Sequence, residues 1–113
     1  YTGEVIEFNK KFIQAGSKIV FVNSKRATII STEEKNYRAY VNKKKLERNE
    51  ITEKFDTELS LAGLAMALDR DYDFITSIKL AISCGVWENF VEKDKIDMSA
   101  IKKIMNSVEV EEI

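Results

Sequence analysis

One stretch, Thr57 to Leu68, most limits what this chain can fold into. After Glu58 it reads Leu59, Ser60, Leu61, Ala62, Gly63, Leu64, Ala65, Met66, Ala67, Leu68, without a single charge. A surface helix keeps one apolar stripe, so a helix apolar on nearly all sides is predicted to be a core helix packed on more than one face. Asp56 or Thr57 can cap its start, and Glu58 falls in the first turn, where the helix dipole favours a negative charge. The run is too short to span a bilayer, and no signal peptide opens the sequence.

The elements around it follow from periodicity. Val5, Ile6, Phe8, Phe12 and Ile13 recur at helical spacing and Gly16 follows, which predicts a helix over residues 3–15 with a glycine C-cap. Ile19-Val20-Phe21-Val22 reads as a short buried strand. A tight connection at 23–27 leads to a second strand at Thr28-Ile29-Ile30-Ser31. A turn at 33–35 leads to a third, Tyr37–Val41, both antiparallel. Residues 42–56 read as a loop or an edge strand. Asp73 can cap a second helix carrying Phe74, Ile78, Ala81, Ile82 and Gly85. Asp97 or Ser99 opens a third, with Ile101, Ile104, Met105 and Val108 on one stripe, and Val108-Glu109-Val110-Glu111 alternates as a closing strand. The fold class is α/β, a small sheet with packed helices in one domain, residues 1–113.

Charge excludes several functions. The 18 basic and 19 acidic side chains nearly cancel, and Lys43-Lys44-Lys45 is the only basic run, so neither nucleic acid nor a membrane is an expected partner. The chain contains no histidine, which removes imidazole metal sites and Ser-His-Asp catalysis, and no residue cluster has metal-ligand spacing. The lone Cys84 cannot form an internal disulfide. It suits a reducing, cytoplasmic compartment and reads as a packed small hydrophobe.

Phe55-Asp56-Thr57-Glu58 is the one place where physics suggests a site. It enters a buried helix, and helix N-termini bind anions through free backbone N–H groups. The same four residues also read as a capped helix start, since Asp56 and Glu58 satisfy the dipole themselves and repel a phosphate.

Three stretches resemble the C-terminal part of the PfkB, ribokinase-like sugar kinases, most of all the tagatose-6-phosphate kinase and 1-phosphofructokinase branch. The segment Gly16…Ile19-Val20-Phe21-Val22-Asn23-Ser24-Lys25-Arg26-Ala27-Thr28 resembles that family's helix, glycine and strand-Ser-Leu-Gly-x-x-Gly turn. Phe55-Asp56-Thr57-Glu58-Leu59-Ser60-Leu61-Ala62-Gly63-Leu64 lies where the family has Gly-Ala-Gly-Asp-Ser-x-x-Ala-Gly-Phe. The stretch from Ala81 through Gly85 to Ile96-Asp97-Met98, with the closing Val108–Ile113, resembles the family's ending. The resemblance implies a C-terminal fragment of a three-layer ribokinase-like fold, about the last third of such a protein. It implies ATP and Mg2+ as cofactors if the intact protein is active, none bound firmly by the fragment. The implied partners are a phosphosugar and the N-terminal portion of the same protein; oligomeric state is left open. It places Ser24, Ala27, Phe55, Asp56, Thr57, Gly85 and Glu88 on the nucleotide side, with Glu58 at the general-base position.

The residues depart from the family's pattern at that site. Phe55 and Thr57 stand at the two glycine positions, Asp56 at the alanine and Glu58 at the aspartate base. Ser24 and Ala27 replace the turn glycines, Val22 replaces a serine, and Glu88 an asparagine near the adenine. Side chains at the glycine positions restrict the loop and crowd a phosphate, and a base one methylene longer disturbs in-line geometry. The expected function is the C-terminal part of an ATP-dependent phosphosugar kinase-like protein with degenerate anion-hole and base positions. The alternative is an inactive kinase-like domain serving binding, regulation or assembly. A further alternative is an unrelated α/β interaction module.

Overall fold

The computed structural model describes residues 2–24, 27–42, 44–45, 55–87 and 98–113. Glu88, Asp97, Lys43 and most of the 42–56 segment lie outside the described residues. Eight elements follow one another: α1 (Thr2–Gln14), β1 (Ile19–Asn23), β2 (Thr28–Thr32), β3 (Asn36–Val41), α2 (Thr57–Asp69), α3 (Phe74–Val86), α4 (Met98–Asn106) and β4 (Val108–Glu112). The strands form one sheet in the order β1-β2-β3-β4. The chain divides into two compact units, residues 1–40 with 110–113, and residues 41–109.

In the first unit, α1 stops where the sequence says it should. Gly16 takes φ +113°, and two bonds close the helix end: Gly16 N–H to the Ile13 carbonyl (3.0 Å) and Ser17 N–H to the Phe12 carbonyl (2.9 Å). This is a Schellman cap, and its left-handed residue is the reason a glycine stands there. α1 packs on β1 and β2 and buries Asn9 completely. The Asn9 amide Nδ2 donates to Ser31 Oγ on β2 at 2.8 Å, while its Oδ1 has no partner. Phe8 and Phe12, one turn apart, stack obliquely in solvent with ring centroids 5.1 Å apart.

β1, β2 and β3 pair antiparallel as expected, with Phe21 opposite Ile30 and Ile30 opposite Tyr37. The expectation of a buried Ile19–Val22 strand is corrected: those four residues are half-buried, and β2 carries the burial instead. The sheet order explains this, because β1 lies at an edge while β2 runs between two neighbours and under α1. Ile29 and Ile30 on β2 and Ala39 on β3 form this unit's apolar interior. β4 runs antiparallel to β3, with Ile113 N–H donating to the Asn36 carbonyl and Asn42 N–H to the Ser107 carbonyl. Arg38 pairs with Glu111 and Lys35 with Glu112 along the exposed face.

In the second unit, α2 and α3 make an antiparallel pair. α2 buries Ser60, Gly63, Leu64 and Ala67, positions i, i+3, i+4 and i+7. Gly63 has a steric reason: a Cβ there would meet Cys84 Sγ at 2.8 Å. The expectation of a helix packed on more than one face is corrected for this structure, since Leu59, Leu61, Met66 and Leu68 are exposed. α2 ends in a second Schellman cap, from Asp71 N–H to Leu68 O and Tyr72 N–H to Ala67 O. Here the left-handed residue is Asp71, at φ +57°.

Asp73 caps α3 as predicted, accepting from Thr76 N (3.1 Å) and Thr76 Oγ1 (2.6 Å). The Thr76 hydroxyl is the main reason its carboxyl lies below the usual range. The cap is therefore in place above that range and fades as pH falls through the depressed value. The buried Ser77 and Ser83 donate back to the carbonyls of Asp73 and Lys79, so α3 carries hydroxyls inside without orphaning them. α4 places Ile101 and Ile104 against Ala67, Leu80, Val86 and Trp87. Val108 does not continue the α4 stripe but begins β4, just after Ser107 N–H closes on the Ile104 carbonyl.

The two Schellman caps make opposite predictions. Gly16→Ala forces a Cβ into the left-handed region and is expected to cost about 1 kcal/mol. Asp71→Gly relieves the same conflict and is expected to raise stability by up to about 1 kcal/mol, read as a higher urea midpoint. Equal signs in chemical denaturation would contradict this account.

Candidate functional site: a closed helix start

The junction at 55–58 is built by the approach of α2 to α3. Asp56 is the N-cap, extended at φ −90°, ψ 100°, which decides between the two caps the sequence allowed. Its Oδ1 accepts from Leu59 N at 3.0 Å and its carbonyl from Ser60 N at 3.0 Å. Its own N–H donates to the carbonyl of Gly85, near the end of α3, at 2.8 Å. The donors of Asp56, Leu59 and Ser60 are thus all engaged within the protein.

Phe55 completes the closure. Its ring lies on Gly85 and fills the space that a Cβ at that position would need. The same ring packs against the cluster of Ala67, Leu80, Val86, Trp87, Ile101 and Ile104. Phe55 and Gly85 therefore fit each other as an apolar contact across the two helices. Thr57 and Glu58 are exposed on the first turn of α2. One turn in, the fully buried Ser60 Oγ has no hydrogen-bond partner.

The other residues placed on the nucleotide side fall differently. Ser24 and Ala27 belong to the first unit and close the β1–β2 hairpin: Ser24 N–H and Ser24 Oγ both donate to the Ala27 carbonyl, at 2.9 and 2.8 Å. Phe55–Glu58 and Gly85 are brought together in the second unit, and Glu88 lies outside the described residues. Asn9 with Ser31 was missed by the sequence reading, although an asparagine on the stripe of Ile6 and Ile13 signals a buried polar contact.

The carboxylate of Asp56 stands at the helix start, where it would repel an anion, and the Asp56 N–H is already bound to Gly85. Among the described residues, no group of three Asp, Glu, Cys or His side chains is placed to hold a metal ion. Cys84 is half-buried against Gly63, and burial pushes its thiol pKa up, away from the reactive thiolate.

This arrangement of elements is a fragment of the ribokinase-like α/β fold. A protein from Staphylococcus aureus provisionally described as a phosphofructokinase matches 98% of the chain at TM-score 0.78 and 18% identity. A second, from Thermotoga maritima and provisionally described as a 1-phosphofructokinase, matches 96% at TM-score 0.67 and 18% identity. The chain spans only about a third of either, 35% and 33% of their lengths. No family model and no curated protein matches the sequence. Among the described residues no helix is long and apolar enough to cross a membrane.

Two measurements test the junction. Asp56→Ala removes the cap and should lower stability by about 1 kcal/mol. Gly85→Ala should cost about 1–3 kcal/mol through collision with Phe55. In the Phe55→Ala background the same change should cost less than half as much, and an undiminished cost would disprove the packing assigned to that ring.

Proposed function

We propose that this chain is the C-terminal, nucleotide-side part of a phosphosugar kinase-like protein of the 1-phosphofructokinase or tagatose-6-phosphate kinase type, and that its 55–58 junction no longer serves phosphoryl transfer. The fold likeness supports the first half. The second half rests on one observation: Asp56 fills the helix start with its own carboxylate while its N–H is bound to Gly85.

The physical argument concerns donors. Phosphoryl transfer needs preorganised groups aimed at developing negative charge. Here the N–H groups of Asp56, Leu59 and Ser60 are bonded within the protein, and the Phe55 ring makes an apolar contact with Gly85 where the resemblance would have an open loop. Glu58 keeps a carboxylate at the position of the expected base, exposed on the first turn of α2. The junction acts structurally, fixing the start of α2 against the end of α3. Of the residues that the resemblance places on the nucleotide side, Phe55, Asp56 and Gly85 thus become a clamp, and the protein serves binding, regulation or assembly.

The test is an ATP–Mg2+ titration of the intact protein by calorimetry, followed by a phosphorylation assay with fructose 1-phosphate and tagatose 6-phosphate. The expected result is no turnover with either sugar. Saturable ATP binding together with phosphorylation of one of them would restore an active kinase with Glu58 as base. Residues 1–113 alone are expected to phosphorylate neither.

A further inference from the structure

The outer part of β4, residues 110–113, is held in the sheet by little besides backbone bonds and surface charge. Val110 is half-buried and Glu111, Glu112 and Ile113 are exposed, so no side chain of this segment is anchored in an interior. The inner part differs: Val108 is 2% exposed, and Glu109 meets Lys45 Nζ at 2.6 Å. The boundary between the two compact units falls just after Glu109. Arg38 reaches Glu111 at 3.6 Å and Lys35 reaches Glu112 at 3.7 Å, with all four side chains 42–57% exposed. Pairs of that kind stabilise little, and a short strand without a buried side chain belongs to the part of a fold that opens first.

Opening uncovers a strand edge with a definite chemistry. The Asn36 carbonyl accepts from Ile113 N–H. Backbone groups of alternate strand residues point the same way, so Arg38 and Tyr40 also turn theirs to β4, while Tyr37 and Ala39 turn theirs to β2. Glu111 and Glu112 are consecutive and therefore point to opposite faces. Arg38 takes the first, with the Tyr40 hydroxyl 3.5 Å from the same carboxylate, and Lys35 takes the second. The Arg38 guanidinium also lies over the Tyr40 ring, 5.5 Å from its centroid. The edge is thus built to read two adjacent carboxylates on an extended chain.

We infer that the β3 edge is a strand-addition site for an extended acidic peptide of another protein, and that residues 110–113 are its resident occupant, which yields to such a peptide. Main-chain hydrogen bonds from Arg38 and Tyr40 supply the attachment, and the two cations supply the choice. Charge complementarity favours this occupant, because a strand without acids at both places leaves Arg38 and Lys35 without their counter-charges. Lys35, Arg38, Tyr40 and residues 110–113 all lie in the first unit, so the site stands independently of the kinase-like reading of the 55–58 junction.

Two measurements on the protein test it. In hydrogen exchange followed by NMR, the amides of Arg38 and Tyr40 should exchange about tenfold faster than those of Tyr37 and Ala39. In fluorescence anisotropy, a labelled peptide of residues 108–113 should bind saturably below about 1 mM, and about tenfold more weakly with lysine at the positions of Glu111 and Glu112. Glu111→Gln together with Glu112→Gln in the protein loosens the resident strand and should tighten the acidic peptide about fivefold. Any other result overturns the proposal. Equal protection of the four amides means that the resident strand does not open. Absence of saturable binding, equal binding of the two peptides, or an unchanged affinity in the glutamine variant removes the acidic partner. A dimer mass by light scattering without peptide binding gives the edge to a second copy of the chain instead.

Discussion

The close approach of α2 to α3 is the constraint on which the second unit depends. It works because side chains are missing at two points. Gly63 lets α2 come down on Cys84, and Gly85 lets Phe55 lie on α3. Between these contacts the Asp56 N–H reaches the Gly85 carbonyl. Aliphatic packing alone holds two helices at a range of offsets, because ridges and grooves tolerate sliding. A hydrogen bond from the start of one helix to the end of the other, with a ring wedged beside it, removes that freedom. The cluster of Leu80, Val86, Trp87, Ile101 and Ile104 then packs on a pair whose registration is already set.

Much of the fold was legible in the sequence, and the reasons differ from residue to residue. Gly16 announced its cap because a left-handed residue after an apolar helix is almost always glycine. Asp71 performs the same task at the end of α2 and left no such signal, since an aspartate in a polar turn has several other uses. The three antiparallel strands followed from short β-branched runs separated by turns. Their burial did not, because alternation says which residues share a face and nothing about which strand lies at the edge. Composition predicts α2 as a core helix packed on more than one face, and the structure buries only one face of it. Its exposed outer half could not be read, since composition reports what a surface is suited to and not what lies beside it.

The candidate site divides along the same line. Asp56 as a cap is a local event, and the spacing of Asp56 to Leu59 and Ser60 carries it. The contact of Phe55 with Gly85 joins residues far apart in sequence, and no local pattern predicts that a ring and a missing side chain will meet. The family pattern pointed to both positions for a different reason, as parts of the nucleotide side. Shared fold carries position from one protein to another, while function lives in the site's own residues.

The pairing of β3 with β4 bears on how the molecule is assembled in time. Tyr40 Oη and Glu111 Oε1 meet across the sheet although 71 residues separate them in the chain, and Ile113 closes on Asn36 beyond them. During synthesis, β1, β2 and β3 can pair as soon as they emerge, because each follows its neighbour through a short turn. The fourth place in the sheet stays vacant until all three later helices have been made. A nascent chain therefore carries β3 as a provisional edge for most of its translation. The charged Lys35, just before that strand, and Arg38 on it, which later meet Glu112 and Glu111, are present throughout and discourage a foreign strand from taking the place first.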